Sequence, residues 1–339
     1  MRTRLDLRLR ERQVSPVSES VSKTKSQAGE SQPEPVPSRT IGLTIMCLMI
    51  AFVAVWMSLQ SRELEGDAAT MPAAIGTQTG FLDYAQYLPD ETLMGFELIP
   101  AGPFTMGSNP ALDRLAYENE RWSSTRRQGL VELEDYYIGR YEVTVAQFRA
   151  FQLEQPDLAN APIENAASDL PVTNVTWPEA LAYARWLQAK LLDSSATPDA
   201  LRNFLNAGGQ VTLPSEAEWE KAARGSDGRI FPWGNQPSTE FANFGSDGPL
   251  PIGSKRCVEC AYGLEDMSGN VWELTRSPLQ PYPYDDSDDA ENLTADALWV
   301  MRGGSYADGV GNVRSAVRGG VDPSVRNSTI GFRLAISRP

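Results

Sequence analysis

The 339-residue sequence contains no histidine, and this absence excludes several kinds of active site. No Ser-His-Asp or Cys-His nucleophile can form, and no zinc or iron ion can be held by imidazole groups. Any general acid or base must be a carboxylate, a lysine, a tyrosine or a cysteine. Cysteine is scarce too, since the sequence has three: Cys47, Cys257 and Cys260.

Positive charge is also in short supply, because 30 lysine and arginine residues face 44 aspartate and glutamate residues. Residues 1–39 hold eight basic and five acidic residues, a net charge of +3. The overall net charge is −14, so the rest of the chain carries a net charge of −17. A body this acidic repels phosphate groups and is a poor partner for nucleic acid, so we expect no nucleic-acid partner.

The N-terminal part of the sequence predicts a membrane protein. Residues 1–39 are polar and rich in Ser, Pro, Gln and Arg, which is typical of a disordered tail. The run 41–59 has no charged residue and is about as long as a bilayer is thick, so we predict a single anchor at 40–60. Basic residues precede this run, which favours a cytoplasmic tail and a body in the periplasm, on the far side of the inner (cytoplasmic) membrane. A cleaved signal peptide and a buried core helix are the alternatives.

After a linker at 61–93, a folded domain is predicted over 94–339. Val131 to Tyr141 has β-favouring residues and predicts a strand. Three helices are predicted from capping boxes, which pair Thr144 with Gln147, Thr176 with Glu179, and Ser215 with Glu218. Beyond Gly225 the pattern breaks into short segments with Gly, Pro, Asn and Asp, so the fold class is a loop-rich α+β domain.

Several short phrases follow one another along this domain. They are IPAGPFTMGS at 99–108, YEVT at 141–144, LPSEAEWE at 213–220, PWGN at 232–235, GLEDMSGNVWE at 263–273, RGGSY at 302–306 and GFR at 331–333. Their order resembles the domain of the formylglycine-generating enzymes, also called sulfatase-modifying factors. The resemblance implies a variant of the C-type lectin fold with long ordered loops.

The resemblance also implies a copper site, which this sequence does not supply. The family's enzymes oxidise a sulfatase cysteine with copper(I) held by two cysteines just after the Gly-Gly-Ser phrase. Asp308 and Val313 stand at about those positions here, and neither is a soft ligand for copper(I). We therefore expect no copper. A related branch uses histidine-bound iron, which a chain without histidine cannot hold.

Calcium is the cofactor that the resemblance implies instead. Carried over from the family, the ligands are the side chains of Asp266 and Glu273 and the carbonyls of Gly269 and Val271. Carboxylates and carbonyls in a tight loop suit this hard cation, although the two acids could simply brace the loop. Asn243 would begin a second family calcium site, but the following loop, 245–250, is short here.

The loop after the Gly-Gly-Ser phrase is the candidate binding surface. Its candidate residues, and two tyrosines that could join them, are Arg302, Ser305, Tyr306, Asp308, Asn312, Arg314, Tyr282 and Tyr284. The alternative for the arginines is structural, because buried arginines commonly bond loop carbonyls and carboxylates. The alternative for the tyrosines is packing within loops.

Cys257 and Cys260 form a Cys-x-x-Cys, for which we predict a local disulfide outside the cytoplasm. Use of the pair for metal binding or redox chemistry is the alternative.

Two functions remain open at this point. One is a membrane-anchored, extracytoplasmic module without copper that binds a protein or glycan ligand or has a regulatory role. The other is a divergent oxidase acting on a protein or peptide. Whether the protein is an enzyme is left open, since an enzyme needs convergent reactive groups and a binder does not.

Overall fold

In the computed structural model of the chain, the described residues are Met49, Leu88, Pro89, 91–163, 165–287 and 297–338. Apart from Met49 they belong to the second of two units, residues 69–339. The predicted tail at 1–39 and the predicted anchor at 40–60, except Met49, lie outside them. No helix within the described ranges is long and apolar enough to cross a membrane.

The described part of the chain forms ten strands and four α-helices. In chain order they are β1 (Phe96–Ile99), β2 (Gly102–Met106), β3 (Gly129–Leu133), β4 (Tyr136–Gly139), α1 (Val145–Glu154), α2 (Trp177–Asp193), α3 (Asp199–Asn206), β5 (Gln210–Thr212), α4 (Glu216–Arg224), β6 (Trp272–Pro278), β7 (Trp299–Arg302), β8 (Arg318–Val321), β9 (Ile330–Gly331) and β10 (Ala335–Ser337). Together with the loops they make the loop-rich α+β architecture expected from the sequence.

The strands form three sheets among the described residues. The first has the order β1-β4-β10-β5 and is antiparallel throughout. The second is the antiparallel β2-β3 pair, and the third has the order β8-β7-β6-β9, with β6 and β9 parallel. Strands β6 to β8 thus come from the same stretch of sequence as the candidate binding loop, which lies between β7 and β8.

All three predicted capping boxes are confirmed. Thr144, Thr176 and Ser215 each accept a hydrogen bond from the third residue of their helix, whose side chain bonds back to the cap. Such reciprocal bonds satisfy amide groups that the first helical turn leaves unpaired. Helix α4 also ends at Gly225, as the sequence predicts.

Two expectations about the elements need correction. The segment Val131 to Tyr141 is not one strand, because β3 and β4 belong to different sheets and the chain leaves the first of them at Glu134 and Asp135. Helix α3 was not predicted, although Leu201, Phe204 and Leu205 recur at helical spacing and are buried.

A core of aromatic side chains joins the first and third sheets to α1 and α2. Phe148 and Phe151 of α1 pack on Tyr183 of α2, and Phe332 packs on Phe148 and Tyr183. Phe332 belongs to the Gly-Phe-Arg phrase, so the next residue, Arg333, is carried into the interior.

Candidate functional site

Helix α4 carries three buried glutamates, and each is paired with arginine. The pairs are Glu216 with Arg318, Glu218 with Arg276, and Glu220 with both Arg224 and Arg302. We call these seven residues the α4 lattice. Buried charges are costly unless they are paired in good geometry, and each carboxylate here is so paired. The lattice ties α4 to β6, β7 and β8, which supply Arg276, Arg302 and Arg318.

Arg302 and Arg314 were predicted to contact a ligand, and the structure corrects this. Both are 0 % exposed. Arg302 donates to Glu220 and to three successive carbonyls at 315–317. Arg314 donates to Asp113 at 2.6 Å and to both oxygens of Glu120, at 2.9 and 2.6 Å. The structural alternative therefore fits both arginines. Arg302 binds carbonyls that follow the loop in sequence, and Arg314 binds the acids Asp113 and Glu120.

Asp308 organises the loop 305–312. Its Oδ2 accepts hydrogen bonds from the amide of Ser305 at 3.0 Å, from Ser305 Oγ at 2.6 Å and from Trp272 Nε1 at 2.8 Å. Its Oδ1 accepts a bond from Asn312 Nδ2 at 2.7 Å. Asp308 and the buried Ser305 therefore close the loop on itself, and Ser305 is corrected from a ligand contact to a brace.

The end of the loop also packs closely against Gly304, the residue that precedes it. Gly304 has a φ of +74°, and a Cβ there would lie 2.4 Å from the carbonyl oxygen of Asn312. Glycine is required because no other side chain fits this approach. Val313 is fully buried. Since Asp308 is occupied by four donors and Val313 is in the interior, the two positions do not fit a copper(I) ion.

A second segment, 112–117, lies beside the loop. Tyr117 donates its hydroxyl to Asn312 Oδ1 at 2.9 Å, and the Arg314 guanidinium lies 5.3 Å from the centre of the Tyr117 ring. Leu112 is 74 % exposed and Leu115 is exposed as well. Sequence reasoning missed this segment, although three large apolar side chains in a polar stretch were a usable signal.

We call the half-exposed part of the loop, Tyr306 and Asn312, together with Leu112, Leu115 and Tyr117, the recognition surface. It contains exposed apolar and hydrogen-bonding groups. Asp308 lies at its floor, with its carboxylate bonded within the loop.

The two tyrosines considered as extra contacts lie at the N-terminal end of α4. Tyr282 is buried, with the Arg318 guanidinium 4.0 Å from its ring centre and the Trp122 ring at 5.4 Å. Its surroundings fit packing, which is the alternative that the sequence left open for this residue. Tyr284 is half-buried, and its hydroxyl donates to Ser215 Oγ at 3.3 Å.

Cys257 and Cys260 form a disulfide, as predicted. The amide of Cys257 donates to Glu265 Oε2 at 2.9 Å. Burial is the main cause that raises the pKa of Glu265 to about 7. With both sulfurs bonded to each other, neither thiolate is available in this state to replace the family's copper ligands.

The predicted calcium ligands lie around β6, but their acids are engaged. Asp266 Oδ2 accepts the amide of Gly253 at 2.7 Å. Glu273 accepts Trp219 Nε1 at 2.7 Å, and Arg333 at 2.5 and 2.7 Å. The geometry thus favours the bracing role for Glu273.

The structure also shows the surroundings of Gly269, a predicted carbonyl ligand, and of Asn243, the predicted start of the second calcium site. Gly269 has a φ of +79°, and a Cβ there would meet the carbonyl oxygen of Asn243 at 2.2 Å. The Asn243 amide group donates to Asn270 Oδ1 and Gly248 O, and its Oδ1 accepts from Ser246. Asn243 therefore braces the 243–248 loop with its side chain.

Glu142, from the Tyr-Glu-Val-Thr phrase, joins this region and was missed from sequence. It accepts the amide of Val271 at 3.2 Å and Asn270 Nδ2 at 2.6 Å. Burial, with the charges of Asp266 and Glu273 added, raises its pKa well above the usual range. Burial also raises the pKa of Asp266 to about 6.

Within the described ranges no three acidic or cysteine side chains are grouped so that they could hold a metal ion. A calcium ion here would depend on Asp266 and the carbonyls of Gly269 and Val271. Calcium therefore stays a prediction.

Comparison with known proteins places the chain in a family. The model of the sulfatase-modifying factor enzyme 1-like domain matches residues 85–338. Hercynine oxygenase of Mycolicibacterium smegmatis is 32 % identical over 284 residues, which cover 70 % of this chain and 60 % of that protein. The chain thus spans three fifths of the length of this relative, which is less than two thirds.

Two further likenesses bear on the fold and on activity. The inactive C-alpha-formylglycine-generating enzyme 2 of Mus musculus is 32 % identical over 188 residues, half of each chain. The solved structure of PvdO from Pseudomonas aeruginosa has a TM-score of 0.56 at 25 % identity and covers 71 % of this chain and 94 % of its own.

Proposed function

Since the chain belongs to the family of sulfatase-modifying factor enzyme 1-like domains, we propose that it uses this scaffold as a binding module without copper. The observation that carries the proposal is the state of Asp308. A carboxylate that accepts four hydrogen bonds, three of them from its own loop and one from Trp272, stabilises the shape of that loop and is poorly placed to react. The name of the mouse relative, which includes the word inactive, is consistent with a member of the family that lacks the enzyme's activity.

The ligand is a protein or a glycan that docks on the recognition surface. Leu112 and Leu115 offer apolar area, and Tyr306 and Tyr117 offer aromatic rings that carry a hydroxyl group. Aromatic side chains contribute strongly to interfaces because they combine a large contact area with little loss of conformational freedom.

The body works outside the cytoplasm, held at the inner membrane by one uncharged segment at 41–59. The basic tail before that segment supports this orientation. The Cys257–Cys260 disulfide agrees with an oxidising compartment. Fusion of a periplasm-active phosphatase to the C-terminus should give active reporter, and an inactive reporter would contradict the orientation.

Calcium is proposed as a structural ion at Asp266. Glu142, Asp266 and Glu273 are three buried acids, and Arg333 donates to one of them, Glu273. Burial raises the pKa of Glu142 and of Asp266, and a divalent cation beside them would favour their ionised forms. Addition of calcium should raise the midpoint of thermal unfolding of the full chain, and Asp266→Asn should remove that rise.

The binding function is tested by screening the full chain in detergent against a glycan array and a displayed peptide library. Any hit is then measured with the double variant Leu112→Ala/Tyr306→Ala. We expect its affinity to fall about tenfold or more, as interface anchors do when truncated. Leu153→Ala is the matched control, since Leu153 is exposed to a similar degree on α1. Equal affinity in the double variant would contradict the proposal.

The competing function is a divergent oxidase, which the similarity to hercynine oxygenase favours. Copper(I) titration and oxygen uptake with a cysteine peptide distinguish the two. Turnover that survives Cys257→Ser/Cys260→Ser but not Asp308→Ala would place chemistry at the loop and replace our proposal.

A further inference from the structure

A cavity of 380 Å³ lies at the N-terminal end of α4 and includes no residue of the recognition surface. It is lined by the end of β3, the start of β4, the capping residue of α4, the segment 284–287 and the end of β10. Cavities that hold small molecules have volumes of about 300–1,000 Å³, so this one is large enough for a ligand.

Negative charge dominates the cavity lining. Among the described residues, five carboxylates line it: Glu132, Glu134, Asp135, Glu218 and Asp286. Two guanidinium groups face them, and each is already in an ion pair: Arg276 with Glu218 at 2.6 Å, and Arg338 with Asp135 at 3.1 Å. Lys221, buried nearby, raises the positive count to three and bonds the carbonyls of Pro100 and Gly102. Among the residues that the structure describes, two negative charges remain in excess.

A second feature points to a ligand independently of charge. Ser337 lines the cavity and is 2 % exposed, and its Oγ has no hydrogen-bond partner in the part of the chain that the structure describes. A buried hydroxyl without a partner is unfavourable, so such groups in folded proteins are generally bonded to protein, water or ligand. A residue that lines the cavity thus carries an acceptor that the described residues do not use.

We propose that this cavity binds a small organic cation that carries an alkylammonium or guanidinium group. Such a group has several N–H donors and no acceptor, which matches an excess of carboxylates and a free hydroxyl oxygen. Tyr136 and Tyr284 also line the cavity, and aromatic rings attract cations. The cation is either a free amine or the lysine or arginine side chain of a peptide.

The test is calorimetric titration of the full chain with agmatine, with its neutral butylamide analogue, and with short peptides that contain one arginine. The key variant is Glu132→Gln/Asp286→Asn, which removes two carboxylates that form no ion pair among the described residues. Its matched control is Glu240→Gln/Asp247→Asn, which removes two exposed acids outside the cavity. Ser337→Ala tests the hydroxyl, and circular dichroism checks that each variant is folded.

We expect agmatine or the arginine peptide to bind, the neutral analogue to bind at least tenfold more weakly, and both cavity variants to lose affinity while the control does not. Binding of the peptide alone would identify the source of the cation as a protein side chain. Absence of binding by both cations, or equal affinity in the cavity variants and the control, would overturn the proposal. Leu112→Ala/Tyr306→Ala should leave agmatine affinity unchanged, so this test and that of the recognition surface can fail separately.

Discussion

The α4 lattice and the 305–312 loop are both rich in polar groups, yet they use them differently. In the lattice, full charges are paired in the interior, and residues from α4 and from three strands take part. In the loop, one carboxylate collects four neutral donors, three of them from the loop itself. The lattice joins distant parts of the chain, whereas the loop is fastened chiefly to itself.

This difference explains how a family scaffold can persist without the family's copper ligands. The Glu-rich phrase on α4 pairs with the arginine of the Gly-Gly-Ser phrase, and Glu273 pairs with Arg333 of the Gly-Phe-Arg phrase. The phrases that reveal the family are thus bonded to one another. None of these bonds requires a particular residue at 308 or 313, so the loop chemistry is free to change.

The largest effect should come from breaking the lattice. Glu220→Ala removes the carboxylate partner of Arg224 and the closer of the two carboxylates beside Arg302, and leaves both arginines buried, which should lower the free energy of unfolding by about 3–5 kcal/mol. The comparison is Glu118→Ala, which removes a surface pair with Arg121 and should cost less than about 1 kcal/mol. Denaturant unfolding of the full chain, followed by tryptophan fluorescence, measures both. Similar losses of unfolding free energy in the two variants would mean that a buried lattice pair stabilises the fold no more than a surface pair.

The loop should respond more weakly. Asp308→Ala leaves the indole N–H of Trp272 and the amide of Ser305 without their acceptor, which should cost about 1–3 kcal/mol. Amide hydrogen exchange should accelerate within 305–312 and stay unchanged in α4. Asp247→Ala, in an exposed neighbouring loop, is the control. A loss as large as that of Glu220→Ala would show that loop and lattice fold as one unit.

Much of the fold could be predicted from the sequence, because its signals are local. A capping box is a four-residue pattern, and Thr144, Thr176 and Ser215 each behave as that pattern requires. Helix α3 was not predicted because Pro198, at its N-cap, makes no side-chain capping bond. The break between β3 and β4 was not predicted because it depends on which sheet each half of the segment 131–141 joins.

The site was harder to predict, because burial decides it and burial is not local. Arg302, Arg314 and Asn312 look alike as polar residues near one loop, yet the two arginines are interior and Asn312 is half-exposed. The segment 112–117 is almost 200 residues from the loop in sequence, yet it contacts the loop through the hydrogen bond from Tyr117 to Asn312. No spacing rule within the loop could have revealed that neighbour.

The smallest effect concerns a buried acid outside the lattice. Glu265 accepts the amide of Cys257 and has no ion pair among the described residues. Its pKa is about 7 in the folded chain against 4.5 for an exposed glutamate, chiefly because of burial. Between these values the folded state binds more protons than the unfolded state, so the stability that this group contributes falls as pH rises from about 4.5 through 7.

Glu265→Gln should therefore reduce the loss of stability between pH 5 and pH 8. The glutamine oxygen can still accept the Cys257 amide, so the variant removes the titration and keeps the bond. We expect the decline to shrink by about 1 kcal/mol after allowance for solvent screening. Asp266 and Glu142 titrate in the same direction and remain in the variant, so part of the decline persists. Guanidinium chloride midpoints at the two pH values give the measurement, with Glu240→Gln as control. An unchanged decline in Glu265→Gln would mean that Glu265 stays ionised when buried.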